Sequence, residues 1–359
     1  MNNNEALKTN MNTEILDIRN YYPISKLETT KTVINKPKFP VIDAHNHLGT
    51  TFGGNWIHKP LEDLITVMDQ AGIVSMVDLD GFEGESVFEE HLKKIKEKAP
   101  DRFRIYTGPD YSKWEEEKDN FGEYAAKKLQ QQIRQGAQGL KIWKNLGAHV
   151  RDHRGARVRL CDPRLDPLWH MAAEYHLPVT IHFADPVAFY DPLDEKNERW
   201  EELHAHPEWH FPSPPFPSFQ QLYDDFLSLL QRNPDTLFIG AHVGCYAENL
   251  SVVEKTLREF PNYYIDISER IAELGRQPYT AREFMIKNAD RIVFGLDRPA
   301  NISEYRCYYR FLESKDEYFD YSEEEIYRQG RWKIYGIFLP DDVLEKIYRK
   351  NAEKILVPN

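Results

Sequence analysis

Two histidines separated by one residue, His45 and His47, end an apolar run near the start of the chain. Alternate side chains of a β-strand point to the same side, so two imidazoles at this spacing can bind one metal ion. Two further histidines, His182 and His242, end later apolar runs, and Asp297 follows another. Imidazole and carboxylate groups bind zinc, manganese or iron(II), with zinc the default where nitrogen dominates. These residues predict a metal site if the fold brings them together.

Eight short apolar runs alternate with helical patterns, and they are the elements that would position these side chains. The runs lie at 41–45, 73–79, 103–107, 139–143, 178–183, 237–242, 263–267 and 291–295. Eight alternating βα units predict an α/β fold closed into a (β/α)8 TIM barrel, whose active site lies at the carboxyl ends of the strands. The rival is an open doubly wound sheet, but the chain has no G-x-G-x-x-G turn to bind a phosphate.

Three segments depart from the alternating pattern. Residues 1–38 read as a polar tail and an extended arm, before a barrel domain at 39–359. Within that domain, residues 184–217 after the fifth run are rich in proline, histidine and aromatic residues, which predicts a packed lid. Residues 299–338 are acidic and rich in tyrosine, which predicts a C-terminal helical insertion before a closing helix at 341–355.

The composition excludes several classes of partner. The formal net charge of −12 disfavours binding to nucleic acid or to an anionic membrane. The longest apolar stretches fall short of the roughly 18 residues that span a bilayer. The cysteines are three and widely spaced, which fits a reducing compartment. We therefore expect a cytoplasmic protein whose partner is a small-molecule substrate.

The order of these residues along the strands resembles the amidohydrolase superfamily, and more closely its amidohydrolase 2 branch of metal-dependent hydrolases and decarboxylases. The order is His-x-His on strand 1, Lys141 on strand 4, histidine on strands 5 and 6, and aspartate after strand 8. The similar segments are 43–47, 179–182, 240–244, 294–297 and 351–356. One departure is Leu296, where the branch commonly has a small hydroxyl residue that could orient the aspartate.

The resemblance implies a role for each residue. His45, His47, His182 and Asp297 would bind one divalent metal, Zn2+ first and Mn2+ or Fe2+ as alternatives. Asp297 would also move the catalytic proton, and His242 would polarise the substrate carbonyl or hold the water. Lys141 would bind the substrate or contact the metal ligands without binding the metal itself. In a binuclear site it would instead bridge two metals as a carboxylated lysine.

Further residues are candidates for contacting the substrate. Trp143 shares the strand face of Lys141, Arg298 follows Asp297, and Tyr190 and Trp209 lie in the lid. The leading function is metal-dependent hydrolysis of a lactone, ester or amide of a small cyclic or aromatic compound. The alternatives are non-oxidative decarboxylation of an aromatic or unsaturated acid, and a metal-free binding barrel. Proteins of this branch are often dimers, so a homodimer is the expected assembly.

Overall fold

The computed structural model describes residues 16–17, 20–21, 23–52, 54–322 and 329–356. The chain divides into two units, Met1–Thr30 and Lys31–Asn359. The described residues of the first unit form no β-strand. Much of the predicted N-terminal tail lies outside the described residues, as do residues 323–328 of the predicted insertion.

Eight parallel strands form the predicted TIM barrel, each paired with its neighbour in chain order. Between the last and first strands, Ala44 N donates a hydrogen bond of 2.9 Å to Phe294 O. The strands are β1 (Val41–Asn46), β2 (Ile73–Gly81), β3 (Phe103–Thr107), β4 (Leu140–Ile142), β5 (Val179–Ile181), β6 (Phe238–Gly240), β7 (Tyr263–Asp266) and β8 (Ile292–Val293).

The connections between the strands are helical. In chain order the α-helical segments are α1 (Leu61–Ala71), α2 (Glu85–His91), α3 (Trp114–Glu117), α4 (Phe121–Gln135), α5 (Asn145–Ala148), α6 (Asp166–Glu174), α7 (Trp200–Ala205), α8 (Phe219–Arg232), α9 (Ala241–Gly244), α10 (Leu250–Glu259), α11 (Ile271–Arg276), α12 (Pro278–Lys287), α13 (Ile302–Glu313), α14 (Asp341–Glu345) and α15 (Asn351–Leu356). Of these, α5 and α9 contain residues with non-helical torsion angles.

Local sequence signals explain the ends of the outer helices. Helix α1 ends at Gly72, which adopts a φ of 78° that glycine tolerates best. Helix α8 begins with a capping box, in which the Ser218 and Gln221 side chains each accept a hydrogen bond from the other residue's backbone amide. Both helices bury one apolar face against the barrel, as the periodicity predicts.

The lid and the predicted insertion are both packed structures. The lid segment contains α7 and has its own buried apolar cluster of Phe189, Leu203 and Phe211. The predicted insertion begins with α13, the helix that follows β8, and the Tyr309 hydroxyl donates to Ala71 O at the end of α1. The described part of the chain has no helix long and apolar enough to cross a membrane.

Candidate metal and active site

The barrel places the predicted site residues at the carboxyl ends of its strands. His45 lies in β1 and Lys141 in β4, while His182 directly follows β5. His242 lies two residues after β6, and Asp297 lies in the loop after β8. Their side chains are buried, apart from Asp297, whose side chain is 18% exposed. The carboxyl ends of parallel strands meet at one rim, so these residues share one end of the barrel.

The Asp297 carboxylate lies at the centre of three imidazoles. Its Oδ2 atom is 3.4 Å from Nε2 of His45 and 3.4 Å from Nε2 of His242. Its Oδ1 atom is 3.3 Å from Nε2 of His47. Lys141 Nζ lies 3.2 Å from His45 Nε2. One ligand atom each from His45, His242 and Asp297 lies within 4.8 Å of the other two, and we call these three residues the rim cluster.

His182 lies beside this cluster. Its ring centroid is 4.4 Å from that of His242. Its Nε2 atom is buried and makes no hydrogen bond, although Asp185 Oδ1 is 3.4 Å away. A buried imidazole nitrogen without a partner is costly in a folded protein unless a ligand uses it. His182 is therefore available as a ligand.

The opposite ring nitrogens of three histidines are held by hydrogen bonds. Nδ1 of His45 donates to Asp266 Oδ2 at 2.8 Å, and Nδ1 of His47 to Asp80 Oδ1 at 2.5 Å. Nδ1 of His242 lies 3.0 Å from the carbonyl oxygen of Ser268. Hydrogen bonds of this kind fix the tautomer and direct the Nε2 lone pair into the site, as in metal-binding histidines. The Nε2 atom of His45 also lies 3.2 Å from Lys141 Nζ. The residues present therefore fit a divalent metal.

The backbone that carries His242 is strained. Residues 242–245 have φ angles of 60°, 59°, 63° and 59°, and Val243, a β-branched residue, is among them. Left-handed torsion angles cost about 1–2 kcal/mol for each non-glycine residue. At Gly244 a Cβ would lie 2.1 Å from the Tyr263 hydroxyl, so a side chain cannot replace the glycine without a shift. Strain of this kind clusters at functional sites.

The loop that carries Asp297 is tied to β1. Asp297 has a φ of 51°, and its backbone N–H donates to His45 O at 2.8 Å. The preceding residue, Leu296, donates its N–H to Asp43 Oδ1 at 3.1 Å. These two backbone hydrogen bonds fix the aspartate loop to the strand that carries His45.

Burial sets the protonation of most of the site. It lowers the pKa of His45 and of His242 well below the ordinary range, and that of His182 to about 4. These imidazoles are therefore neutral at pH 7, the form that binds metal. Burial raises the pKa of Asp297 to about 6. For His47, burial lowers the pKa, but the charge of Asp80, the hydrogen bond to Asp80 and the charge of Asp297 together outweigh burial, and the net shift is upward.

A second buried group of acids and histidine supports His47, and the sequence analysis missed it. Asp80 Oδ2 accepts hydrogen bonds from the backbone N–H groups of Leu48 and Gly49. Asp78 Oδ2 accepts from His91 Nδ1 at 2.5 Å. The available signal was the alternation of Asp78 and Asp80 at the end of β2, which puts both on one strand face. We call Asp78, Asp80 and His91 the support cluster.

Aromatic rings line one side of the site next to His47. The ring of Phe52 is 5.3 Å from that of His47, and the ring of Phe82 is 6.1 Å from it. Trp143 lies 6.1 Å from Phe52 and 5.7 Å from Phe82. The three rings form what we call the aromatic wall. Trp143 was a predicted substrate contact, whereas Phe52 and Phe82 were missed because they lie in loops without periodicity.

The other predicted substrate contacts lie elsewhere. The Tyr190 hydroxyl accepts a hydrogen bond from Asp185 N at 3.2 Å, and Trp209 stacks on His206. The buried guanidinium of Arg298 pairs with carboxylates of its own surroundings. In the described part of the chain, none of the three has a hydrogen bond or ring contact with the rim cluster. Their predicted substrate contacts stay predictions.

Comparisons with known proteins agree with this architecture. Residues 42–356 match the family model described as amidohydrolase. No curated protein matches the chain. Among solved structures, the fold is similar to that of 2,6-dihydroxybenzoate decarboxylase from Rhizobium, with a TM-score of 0.57 and 16% identity over 89% of this chain and 98% of that one.

Two similar structures contain manganese. One is dihydroxybenzoic acid decarboxylase from Polaromonas sp. JS666 with the inhibitor 2-nitroresorcinol: TM-score 0.55, 16% identity, covering 89% of this chain and 97% of that one. The other is 5-carboxyvanillate decarboxylase from Novosphingobium aromaticivorans: TM-score 0.52, 15% identity, covering 91% and 99%. At this identity the likeness establishes a shared fold.

Proposed function

The chain belongs to the amidohydrolase family, and from this premise we propose that it is a metal-dependent, non-oxidative decarboxylase of an aromatic carboxylic acid. The observation that carries the proposal is the aromatic wall of Phe52, Phe82 and Trp143 directly beside His47. Flat apolar rings next to a polar centre suit an aromatic acid, because the ring packs on the wall while its acid group faces the imidazoles.

The similar structures support the same reaction. Three of them are decarboxylases named for 2,6-dihydroxybenzoate, dihydroxybenzoic acid and 5-carboxyvanillate, which are all aromatic acids. On the sequence alone, hydrolysis was the leading function and decarboxylation the alternative. The comparisons favour the alternative, so we place decarboxylation first.

His45, His47, His182 and Asp297 are the residues we propose to hold the metal. The distances of 3.3–3.4 Å between Asp297 and the Nε2 atoms of His45 and His47 support the first part of this set. The Nε2 atom of His182, whose nearest carboxylate oxygen is Asp185 Oδ1 at 3.4 Å, is not held by a short hydrogen bond, which supports its inclusion. A bound divalent ion would supply positive charge that holds the oxygen atoms of the substrate. The manganese of the similar structures makes Mn2+, as well as the expected Zn2+, an ion to test.

Asp297 is the residue we propose to protonate the ring. In the protein without metal, burial raises the pKa of its carboxyl group to about 6, so Asp297 holds a proton at higher pH than an ordinary aspartate. Its proton goes to the ring carbon that bears the carboxylate. The carbon–carbon bond then breaks, CO2 leaves, and the bonding electrons restore the aromatic ring. Asp297 regains a proton from water.

His242 and Lys141 are placed to orient the substrate. His242 is neutral because burial lowers its pKa, so it can form a hydrogen bond to a phenolic or carboxylate oxygen. Burial also lowers the pKa of Lys141, partly opposed by the charge of Asp297. When protonated, its ammonium can hold an anionic oxygen.

The test uses the full-length protein loaded with Mn2+ or Zn2+. It is incubated in D2O with 2,6-dihydroxybenzoate or 5-carboxyvanillate, and in parallel with a lactone and an aryl ester. We expect CO2 release from an aromatic acid, one deuterium on the product ring, and loss of activity after treatment with a chelator. Hydrolysis of the lactone or the ester without CO2 from either acid would overturn the proposal in favour of a hydrolase.

A further inference from the structure

Arg270 is a buried arginine whose donors are almost unused. It is 6% exposed and follows β7 by four residues. Among the described residues its one hydrogen bond runs from Nη1 to the backbone oxygen of its neighbour Glu269, at 2.9 Å. A guanidinium has five N–H donors, and burying its charge without a paired anion is expensive.

Two other buried arginines of the chain show how a guanidinium pairs with carboxylates. Arg199 and Arg298 are 1% and 2% exposed, and each contacts two carboxylates. Arg199 pairs with Glu202 and Glu273, and Arg298 pairs with Glu269 and Glu304. Arg270 is also buried but has no such pair among the described residues.

Nearby acids keep Arg270 charged without using its donors. Burial opposes its charge, but Glu273 and Glu248 outweigh this and raise its pKa. Neither takes a hydrogen bond from it: Glu248 Oε1 accepts from the backbone N–H of Val187, and Glu273 pairs with Arg199. Arg270 therefore presents a positive group with open donors.

Arg270 lies next to the residues that orient the rim cluster. Two residues before it, Ser268 contacts Nδ1 of His242 and of His45 through its hydroxyl. Burial is the main cause that lowers the pKa of both histidines, and the positive charge of Arg270 lowers both further. An anion bound by Arg270 would therefore lie close to the proposed metal ligands.

We infer that Arg270 is a specificity-determining residue that binds the carboxylate of the substrate. This inference rests on the proposed function and names the group that the site recognises. A guanidinium can bind a carboxylate through two parallel hydrogen bonds. We assign a monoanionic carboxylate, not a phosphate, because the acids around Arg270, Glu248 and Glu273 among them, would repel each additional negative charge. The substrate contact predicted for Arg298 thus fits Arg270 better.

The test measures binding, not turnover, on the metal-free full-length protein. Benzoate and benzamide have nearly the same shape but differ in charge, and both are titrated by calorimetry into wild type and variants. Wild type should prefer benzoate. In Arg270→Gln the affinity for benzoate should fall about 10- to 100-fold, as loss of a charged hydrogen bond predicts, while benzamide binding changes less than about twofold.

Arg270→Lys and Arg276→Gln are the matched variants. The lysine keeps the positive charge but lacks the two parallel N–H donors of a guanidinium, so the benzoate affinity of this variant should be intermediate. Arg276 lies on α11 with a more exposed side chain paired to Glu198, and its variant should behave as wild type. If circular dichroism shows that Arg270→Gln does not fold, Arg270→Lys is used for the test. A benzoate affinity of Arg270→Lys equal to that of wild type then overturns the inference.

The outcomes separate this inference from the proposed reaction. Equal binding of benzoate and benzamide by wild type, or a benzoate affinity of Arg270→Gln within about twofold of wild type, would overturn the role of Arg270. If the preference depends on Arg270 but no aromatic acid loses CO2, the carboxylate subsite stands and the proposed reaction fails.

Discussion

The rim cluster and the support cluster contain the same kinds of side chain but use them differently. Around Asp297 the Nε2 atoms of His45 and His242 lie 3.4 Å from the carboxylate, too far for a normal hydrogen bond. In the support cluster, His91 and Asp78 bond to each other at 2.5 Å. The first group directs its Nε2 lone pairs into the site, where that of His45 lies 3.2 Å from Lys141 Nζ, whereas the second group forms short hydrogen bonds within the protein. The long separations between the carboxylate and the imidazoles, more than the residue types, identify the candidate metal site.

One residue, His47, connects the two clusters. His47 Nε2 faces Asp297, and His47 Nδ1 donates to Asp80. Burial would raise the pKa of Asp80, but the charge of His47 and hydrogen bonds outweigh it and lower the pKa to about 2. The support cluster therefore keeps the Asp80 carboxylate charged and hydrogen-bonded to Nδ1 of His47, a proposed metal ligand. This arrangement increases the basicity of the imidazole.

The largest effect should come from the carboxylate at the centre of the site. Asp297→Asn keeps the shape of the side chain but removes the acid, so we expect turnover of the aromatic acid to fall about 10²- to 10⁴-fold. The measurement is kcat for CO2 release at saturating metal. A kcat within tenfold of wild type, with an unchanged melting temperature, would exclude Asp297 as the proton donor.

A smaller effect is expected at the connection between the clusters. Asp80→Asn leaves His47 in place but removes the anion behind it, so the affinity for Mn2+ should fall about 10- to 100-fold. Calorimetry measures the dissociation constant. Asp185→Asn removes the carboxylate beside His182 and is the corresponding variant on the other side of the site. An Asp80→Asn protein that binds Mn2+ as tightly as wild type would show that the support cluster has no part in metal binding.

The pH dependence of Mn2+ binding should also depend on the contact between His47 and Asp80. The pKa of His47 is raised above its ordinary value and that of Asp297 is raised to about 6, so each group binds a proton at higher pH than an ordinary histidine or aspartate. Bound protons compete with the metal, and the Mn2+ dissociation constant should increase by about tenfold per pH unit for each group. In Asp80→Asn the pKa of His47 should drop, and the increase should begin at lower pH. Equal profiles for both proteins would contradict this account.

The smallest effect on metal binding is expected within the support cluster. His91→Gln removes the partner of buried Asp78, so the free energy of unfolding should fall by about 1–3 kcal/mol. The affinity for Mn2+ should stay within about threefold of wild type, because Asp80 keeps its own hydrogen bonds to His47 and the backbone. Urea unfolding measures the first quantity and calorimetry the second. A large loss of affinity without loss of stability would reverse the roles assigned to the two clusters.

The sequence predicted the barrel and the rim residues because both follow from simple periodicity. Eight apolar runs alternate with helices, and the carboxyl ends of parallel strands must meet, so His45, His182 and His242 converge. The support cluster was missed because its function lies in hydrogen bonds across β1, β2 and α2, which periodicity does not reveal. The left-handed turn at 242–245 was also missed, and the close approach of Tyr263 to Gly244 within it is a tertiary contact.

The arginines show a second limit of sequence reasoning. Arg298 directly follows Asp297, and that adjacency suggested a substrate contact. In the fold its guanidinium pairs with Glu269 and Glu304, whereas Arg270 keeps its donors open. The difference depends on which carboxylates surround each guanidinium in three dimensions, and that information is absent from the spacing of residues along the chain.

The most direct test of the two-cluster comparison is a titration of Mn2+ followed by electron paramagnetic resonance. It compares the wild type with His45→Ala and His91→Gln, each shown to be folded. We predict that wild type and His91→Gln remove about one equivalent of free Mn2+ from solution, and that His45→Ala binds at least about 100-fold more weakly. Undiminished binding by His45→Ala, or loss of binding in His91→Gln alone, would show that the metal does not bind through His45 at the rim of the barrel.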